Sequence, residues 1–440
     1  SQALHIAAFL GRVGIVEALA VGGADRYARN GDGSTAYDIV AQPFKDDRAT
    51  YDGLVAALRP LGLVLDYAEV EAARPRIAGM LRPSAEDIAS VTYTPSDAGE
   101  WKLATPVETG LEPTLLGELF LDASKLNNLY GLLVVKDGKL VAESYFHEGS
   151  RTQLSSRQSV TKSFLSALFG IAHREGSVPD LDTAMISYFP ELQEAIEDPR
   201  KNEITVRQLL QMRGGYPQEL LVPKHHDALY FTDNWNWIPH LVDFPLVRDP
   251  GEGFGYSNVT SHALAVLLSR ACKADLAPYA EKHLFAPIGA KLGAWSVDPS
   301  GYRWGWGELQ VTARDMARLG LLYLQDGAWE GHQVLPAHWV AASLRSYTQD
   351  AWTTPKVGRY FSNIGYGYQW WSATVGTHAF DFAWGHGGQL IVLLDEYDMV
   401  IVTTADPLTA KDPLRDPGWD EEQAIINVVG KFIASLPARK

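Results

Sequence analysis

Two stretches of the chain are apolar with hardly a break, and they lie far apart. "LYGLLVVKDGKLVAESYF", from Leu129, sets two β-rich runs around Asp137-Gly138, a strong signal for a two-residue hairpin turn. "QLIVLLDEYDMVIVTTAD", from Gln389, repeats that arrangement near the other end. Strands that are continuously apolar, rather than alternating, bury both faces. Between them, apolar residues recur at helical spacing, as in "ITVRQLLQM", "SHALAVLLSRAC" and "VTARDMARLGLLYLQDG". The pattern predicts an α+β domain over residues 113–440. Strands from both ends form one antiparallel sheet, helices cover it, and an all-helical insertion lies between.

The upstream part is built differently. "ALHIAA" from Ala3 aligns with "AYDIVA" from Ala36, a shift of 33 residues, and "IVEALAVGGAD" from Ile15 is echoed by "LVAALRPLGLVLD" from Leu54. Such a period marks stacked helix pairs, each burying its inner face against its neighbours. Residues 1–66 resemble ankyrin repeats, with the first copy truncated and the second degenerate, "TAYD" replacing the usual proline, leucine and histidine. The resemblance implies a short all-α segment in which His5 bonds the backbone of a turn. It also implies a surface for a protein partner or, alternatively, a cap on the neighbouring domain. Two copies are too few to stand alone, so either further repeats precede Ser1 or the pair docks on the α+β domain. Residues 67–112 carry helical pieces broken by prolines and then the turn-rich "YTPSDAGEWKLATPVETGLEP", and are expected to form a linker.

Composition narrows the function classes. Of 440 residues, 46% are hydrophobic and 21% charged, the balance of a globular protein with a sizeable core. A net charge of -15 argues against nucleic-acid and anionic-membrane partners. No apolar run reaches the roughly 20 residues of a membrane span. Cys272 is the single cysteine, which excludes an internal disulfide and a cysteine-based zinc site. His225 and His226 are adjacent and so point different ways, without partners at ligand spacing; no metal or other cofactor is expected. "SQALHIAAFLG" lacks the features of a signal peptide, and the sequence assigns no compartment.

Candidate chemistry sits in three separated motifs. In "SRQSVTKSFLSALFGIAHREG", Ser159 and Lys162 stand at i and i+3, on one face of a helix that is apolar nearly all round. A lysine aimed into such surroundings is costly unless its amine has a use. "GEGFGYSNVTSHALA" places Tyr256 and Asn258 just before a helix, and "WGHGGQLIVLL" opens a buried strand with His386, Gly387 and Gly388. Each motif alone is common. Together, in this order, they resemble the penicillin-recognising serine hydrolases, above all class C β-lactamases and family VIII carboxylesterases, over roughly residues 110–435.

Serine is a poor nucleophile without a base in hydrogen-bond reach, and Lys162 and Tyr256 can supply one jointly. The resemblance implies an acyl-enzyme on Ser159, with Tyr256 protonating the leaving group. The oxyanion would lie between the Ser159 amide, at a helix N-terminus, and the Gln389 amide. Asn258 is expected to bond Lys162 or a substrate amide. Gly387 and Gly388 are expected to let substrate approach the strand edge. His386 stands where β-lactamases carry lysine, which tilts the expected substrate toward small uncharged esters or amides. β-Lactams, D-amino-acid peptides and linear amides are the alternatives, and a silent, partner-binding member is the alternative of another class. Tyr230, Phe231, Trp235 and Trp237 are candidates for an aromatic wall of the acyl pocket, or for plain core packing.

Overall fold

The computed structural model describes residues 2–62, 64–178, 180–218, 235–353, 357–407 and 419–438. Its centre is a seven-stranded sheet: β1 (Leu129–Lys136), β2 (Lys139–Tyr145), β3 (Ser362–Tyr366), β4 (Trp371–Val375), β5 (His378–Gly385), β6 (Gln389–Leu394) and β7 (Met399–Ala405). The spatial order is β2-β1-β7-β6-β5-β4-β3, and every neighbouring pair is antiparallel. First and last strands thus pair side by side within the sheet, with Leu133 opposite Val402. The β1–β2 turn holds Asp137 and Gly138 at φ of 52° and 68°, the left-handed pair that a tight hairpin needs. β3 to β5 are additional to the two hairpins expected from sequence.

The continuous apolar strands do bury both faces, because neighbouring residues feed different cores. Leu133, Val135, Ile391, Leu393, Val400 and Val402 pack on one side, with the helices Thr161–Arg174 and Ala313–Leu324. Leu132, Val134, Leu390, Val392, Met399 and Ile401 pack on the other, with Pro113–Ala123 and Trp419–Ala434. The insertion contributes Asn258–Cys272 and shorter helical pieces to the first core. Its residues His225, His226, Tyr230 and Phe231 lie outside the described residues.

The N-terminal segment is mostly helical: Gln2–Phe9 packs on Val13–Val21, and Ala36–Ala41 packs on Gln2–Phe9 and on Tyr67–Leu81, with Phe44–Leu58 between the last two in sequence. His5 Nε2 lies 3.0 Å from Ser34 O, in the turn before Ala36–Ala41. The expected linker is corrected at its start. Tyr67–Leu81 is a continuous helix running through Pro75, capped by Asp66, and Ile77 and Leu81 join Leu4, Val16 and Ile39 in one small core. Burial of that face outweighs the single backbone hydrogen bond that Pro75 forgoes. The turn-rich stretch beyond it lies along the free edge of β2, where Leu140 N donates to Lys102 O at 2.9 Å and Glu143 N to Tyr93 O at 2.8 Å. Covering this edge removes a site for unwanted strand pairing.

The segment docks on the sheet domain. Tyr360 Oη donates to Asp38 Oδ1 at 2.8 Å, Arg359 Nη2 to Asp47 Oδ1 at 2.6 Å, and Asn427 Nδ2 to Asp32 O at 3.2 Å. Within the segment, buried Arg74 donates to Ile39 O, Gln42 O, Asp47 Oδ2 and Tyr51 Oη, fastening the third helical layer to the second.

These contacts generate two stability predictions. Arg74→Ala removes four buried hydrogen bonds and one partner of the Asp47 carboxylate, so urea denaturation should show a loss of about 3–5 kcal/mol. Burial, reinforced by Asp395, pushes the Asp381 carboxyl on β5 up to about 7. The folded chain then holds a proton that the unfolded chain releases near its ordinary value of about 4. Stability from this group is present below that value and falls as pH rises from about 4 to about 7. Asp381→Asn should flatten that part of the melting temperature–pH curve relative to wild type.

Candidate active site

Ser159 lies in a single 3-10 turn, Gln158–Val160, that runs directly into the helix Thr161–Arg174. Gln158 just before it has φ of 49°, a strained left-handed value for a residue with a side chain. The next helical turn brings Lys162 back beneath the serine, and Lys162 is 2% exposed. Its Nζ lies 2.8 Å from Ser159 Oγ, 2.8 Å from Asn258 Oδ1 and 2.9 Å from Trp306 O. Oxygens from three separate parts of the chain thus meet at one buried amine. Of the two partners expected for Asn258, the structure gives it Lys162.

Tyr256 is 5% exposed and turns its ring toward the same amine, with Lys162 Nζ 4.9 Å from the ring centroid. The ring stacks on Trp371 at 5.4 Å and meets Trp352 edge-on at 5.9 Å. The Ser257 hydroxyl accepts from Thr260 N at 3.0 Å, capping the helix that Asn258 begins. This cap fixes how Tyr256 and Asn258 leave the turn.

The third motif is held from behind by a residue that the sequence did not single out. Glu422, fully buried in the first turn of Trp419–Ala434, accepts from Gly387 N at 2.6 Å and Trp384 Nε1 at 2.8 Å. Its Oε2 also lies 2.9 Å from His386 Nδ1, which commits that nitrogen to the carboxylate. Gly387 and Gly388 have φ of 82° and 95°. A Cβ on Gly387 would lie 2.5 Å from Pro407 Cα, and one on Gly388 would lie 2.4 Å from Ile425 Cδ1. The turn and its packing against Pro407 and Ile425 thus account for both glycines. Gln389 opens β6 opposite Gly385, with its side chain buried.

Ser159, Tyr256 and His386 line one small cavity of about 50 Å³, walled by Trp352, Trp371, Trp384 and Trp419 and also lined by Glu422. Trp235 and Trp237, candidates for an aromatic wall or for core packing, are not among the residues lining this cavity. Trp237 is fully buried, 4.9 Å from Trp304 and 5.4 Å from Trp306, and Trp235 stacks on it at 5.8 Å. Both rings pack near Trp306, whose carbonyl binds Lys162. The actual wall comes from β4, β5, the start of the last helix and the loop residue Trp352. Its one signal in the sequence was the tryptophan content of "YQWWSA" and "FAWGHGG" beside the third motif.

Residues 129–420 match the beta-lactamase family. The chain belongs to that family. It has the beta-lactamase-like α+β fold, an antiparallel sheet covered by helices. A 6-aminohexanoate-dimer hydrolase of Paenarthrobacter ureafaciens is 27% identical over 251 residues, covering 54% of this chain. The match spans 63% of the length of that curated relative. Two solved structures share the fold. The octameric penicillin-binding protein homologue from Pyrococcus abyssi has a TM-score of 0.51 and 18% identity, covering 66% of this chain and 72% of its own. EstCE1, a hydrolase with promiscuous acyltransferase activity, has a TM-score of 0.52 and 15% identity, covering 68% and 94%.

In this beta-lactamase family member the buried Glu422 satisfies three donors at once. Glu422→Ala should therefore lower stability by about 3 kcal/mol in chemical denaturation, because it strands Gly387 N and Trp384 Nε1 in the interior.

Proposed function

We propose that the protein cleaves esters or amides of small, uncharged substrates through an acyl-enzyme on Ser159. The observation that carries this reading is the 2.8 Å contact between Ser159 Oγ and Lys162 Nζ at the edge of a cavity lined by indole rings. As Oγ bonds the substrate carbonyl carbon, its proton passes to the Lys162–Tyr256 pair. The oxyanion is held by the amides of Ser159 and Gln389, an arrangement worth several kcal/mol in the transition state. The bond to the leaving group then breaks, and Tyr256 returns the proton to the departing oxygen or nitrogen. Water repeats the sequence to release the acid and restore Ser159. Asn258 and the Trp306 carbonyl keep Lys162 aimed throughout.

The aromatic wall favours a compact apolar acyl group. His386 replaces the lysine of β-lactamases, and its Nδ1 is tied to Glu422. That pairing supports uncharged esters and amides over β-lactams. Linear amides are the second reading, favoured by the similarity to the 6-aminohexanoate-dimer hydrolase. For the N-terminal segment, the packing of Gln2–Phe9 on Val13–Val21 and the His5–Ser34 bond support an ankyrin-like unit, and its docking through Asp38 and Asp47 supports a cap on the enzyme.

A fluorophosphonate should add once per chain, at Ser159, by peptide mass spectrometry; an unmodified serine would refute the acyl-enzyme. Ser159→Ala should abolish turnover. Lys162→Ala and Tyr256→Phe should each lower kcat/KM by roughly 10²- to 10⁴-fold. A panel of short p-nitrophenyl esters, a chromogenic cephalosporin and a linear aminohexanoate dimer ranks the substrate classes.

A further inference from the structure

Arg157 stands two residues before Ser159 and is 1% exposed. Its guanidinium makes three hydrogen bonds, all to uncharged oxygens: Nε to Val311 O at 2.8 Å, Nη1 to Gln389 Oε1 at 3.2 Å, and Nη2 to Gln153 O at 3.2 Å. None of these three partners is a carboxylate. Burial pushes the guanidinium down from its ordinary value, with Asp315 opposing through space. A buried cation held by neutral oxygens is costly to keep. The elements it ties together are therefore informative.

It holds the turn of Ser159 to the first residue of β6. Gln389, the Arg157 partner, clamps the neighbouring strand with the same carboxamide: Nε2 donates to Ala405 O at 2.7 Å and Oε1 accepts from Ala405 N at 3.2 Å. Arg157 N donates to Leu309 O at 3.0 Å, and a Cβ on Gly385 would lie 2.5 Å from Arg157 O. Backbone and side chain of Arg157 thus press the serine turn against the β5–β6 end of the sheet. The amides of Ser159 and Gln389 belong to elements more than two hundred residues apart in sequence, as the Arg157–Gln389 bond itself spans 232 positions.

We infer that Arg157 is a positioning residue of the oxyanion site, setting the spacing between the Ser159 and Gln389 amides through the Gln389 side chain. The inference rests on the acyl-enzyme reading proposed for Ser159. Hydrogen-bond donors stabilise a developing oxyanion only when held close to their productive positions, so a rigid fork linking the two elements acts on the transition state and hardly on ground-state binding.

Arg157→Lys tests this, because it keeps the charge and loses the planar fork. With a p-nitrophenyl ester, kcat should fall roughly 10- to 100-fold, below the loss of a whole donor, while KM stays within about twofold. Acylation and deacylation, resolved by stopped-flow, should slow by the same factor, because each passes through an oxyanion. Gln389→Leu should shift both steps in the same direction. Complete fluorophosphonate labelling and an unchanged thermal melt identify folded variants; if Arg157→Lys does not fold, Gln389→Leu decides.

A folded variant with wild-type kcat, a loss confined to KM, or slowing of only one step would overturn the inference. A wild-type Ser159 that refuses fluorophosphonate would instead overturn the acyl-enzyme. A labelled, active wild type beside a normal Arg157→Lys would remove the clasp alone.

Discussion

One buried amine is the point on which the rest of this molecule turns. Lys162 meets oxygens from three places: the turn that opens its own helix, the start of Asn258–Cys272, and the backbone at Trp306. A buried amine left in that interior without such partners would be costly. The helical insertion and the sheet domain therefore cannot settle independently. Their relative position is fixed beside Ser159, so the contacts that satisfy the amine also bring the first two motifs together.

The sheet performs the complementary task. Neighbouring residues of β1, β6 and β7 serve opposite cores, which leaves these strands little freedom to slip: a one-residue shift would exchange every side chain between the two faces. The end of β5 and the start of β6 are in turn held by Glu422 from one side and Arg157 from the other. The stretch from Trp384 to Gln389 is thus one of the most heavily braced parts of the molecule.

How much of this was legible in the sequence depends on the kind of interaction involved. Ser159 and Lys162 were legible because a helix makes i and i+3 neighbours, and the two hairpins because Asp137-Gly138 and long apolar runs are local signals. The Trp306 carbonyl was invisible because a backbone acceptor leaves no mark on residue identity. Glu422 was hidden in "WDEEQ", where an acidic first turn looks like an ordinary solvated helix start. β3 to β5 were missed because their alternation is short and punctuated by Gly365, Gly367 and Gly376. The tryptophan wall escaped for a related reason: Trp371 pairs with Phe382 and Trp384 with Leu390 only through sheet register. The stretch from residue 67 looked like a linker because Pro75 outweighed the spacing of Val70, Ile77 and Leu81.

The last helix also has a second neighbour. Trp419–Ala434 packs on the sheet, yet Asn427 reaches back to Asp32, and Lys431 pairs with Asp122 while lying 4.4 Å over the Tyr37 ring. A helix face that would be wet in a free-standing enzyme is here interior. Excising the first 66 residues would not detach a bead from a string. It would cut through a shared wall, stripping Tyr360 of Asp38, Asn427 of Asp32 and Lys431 of its aromatic cover.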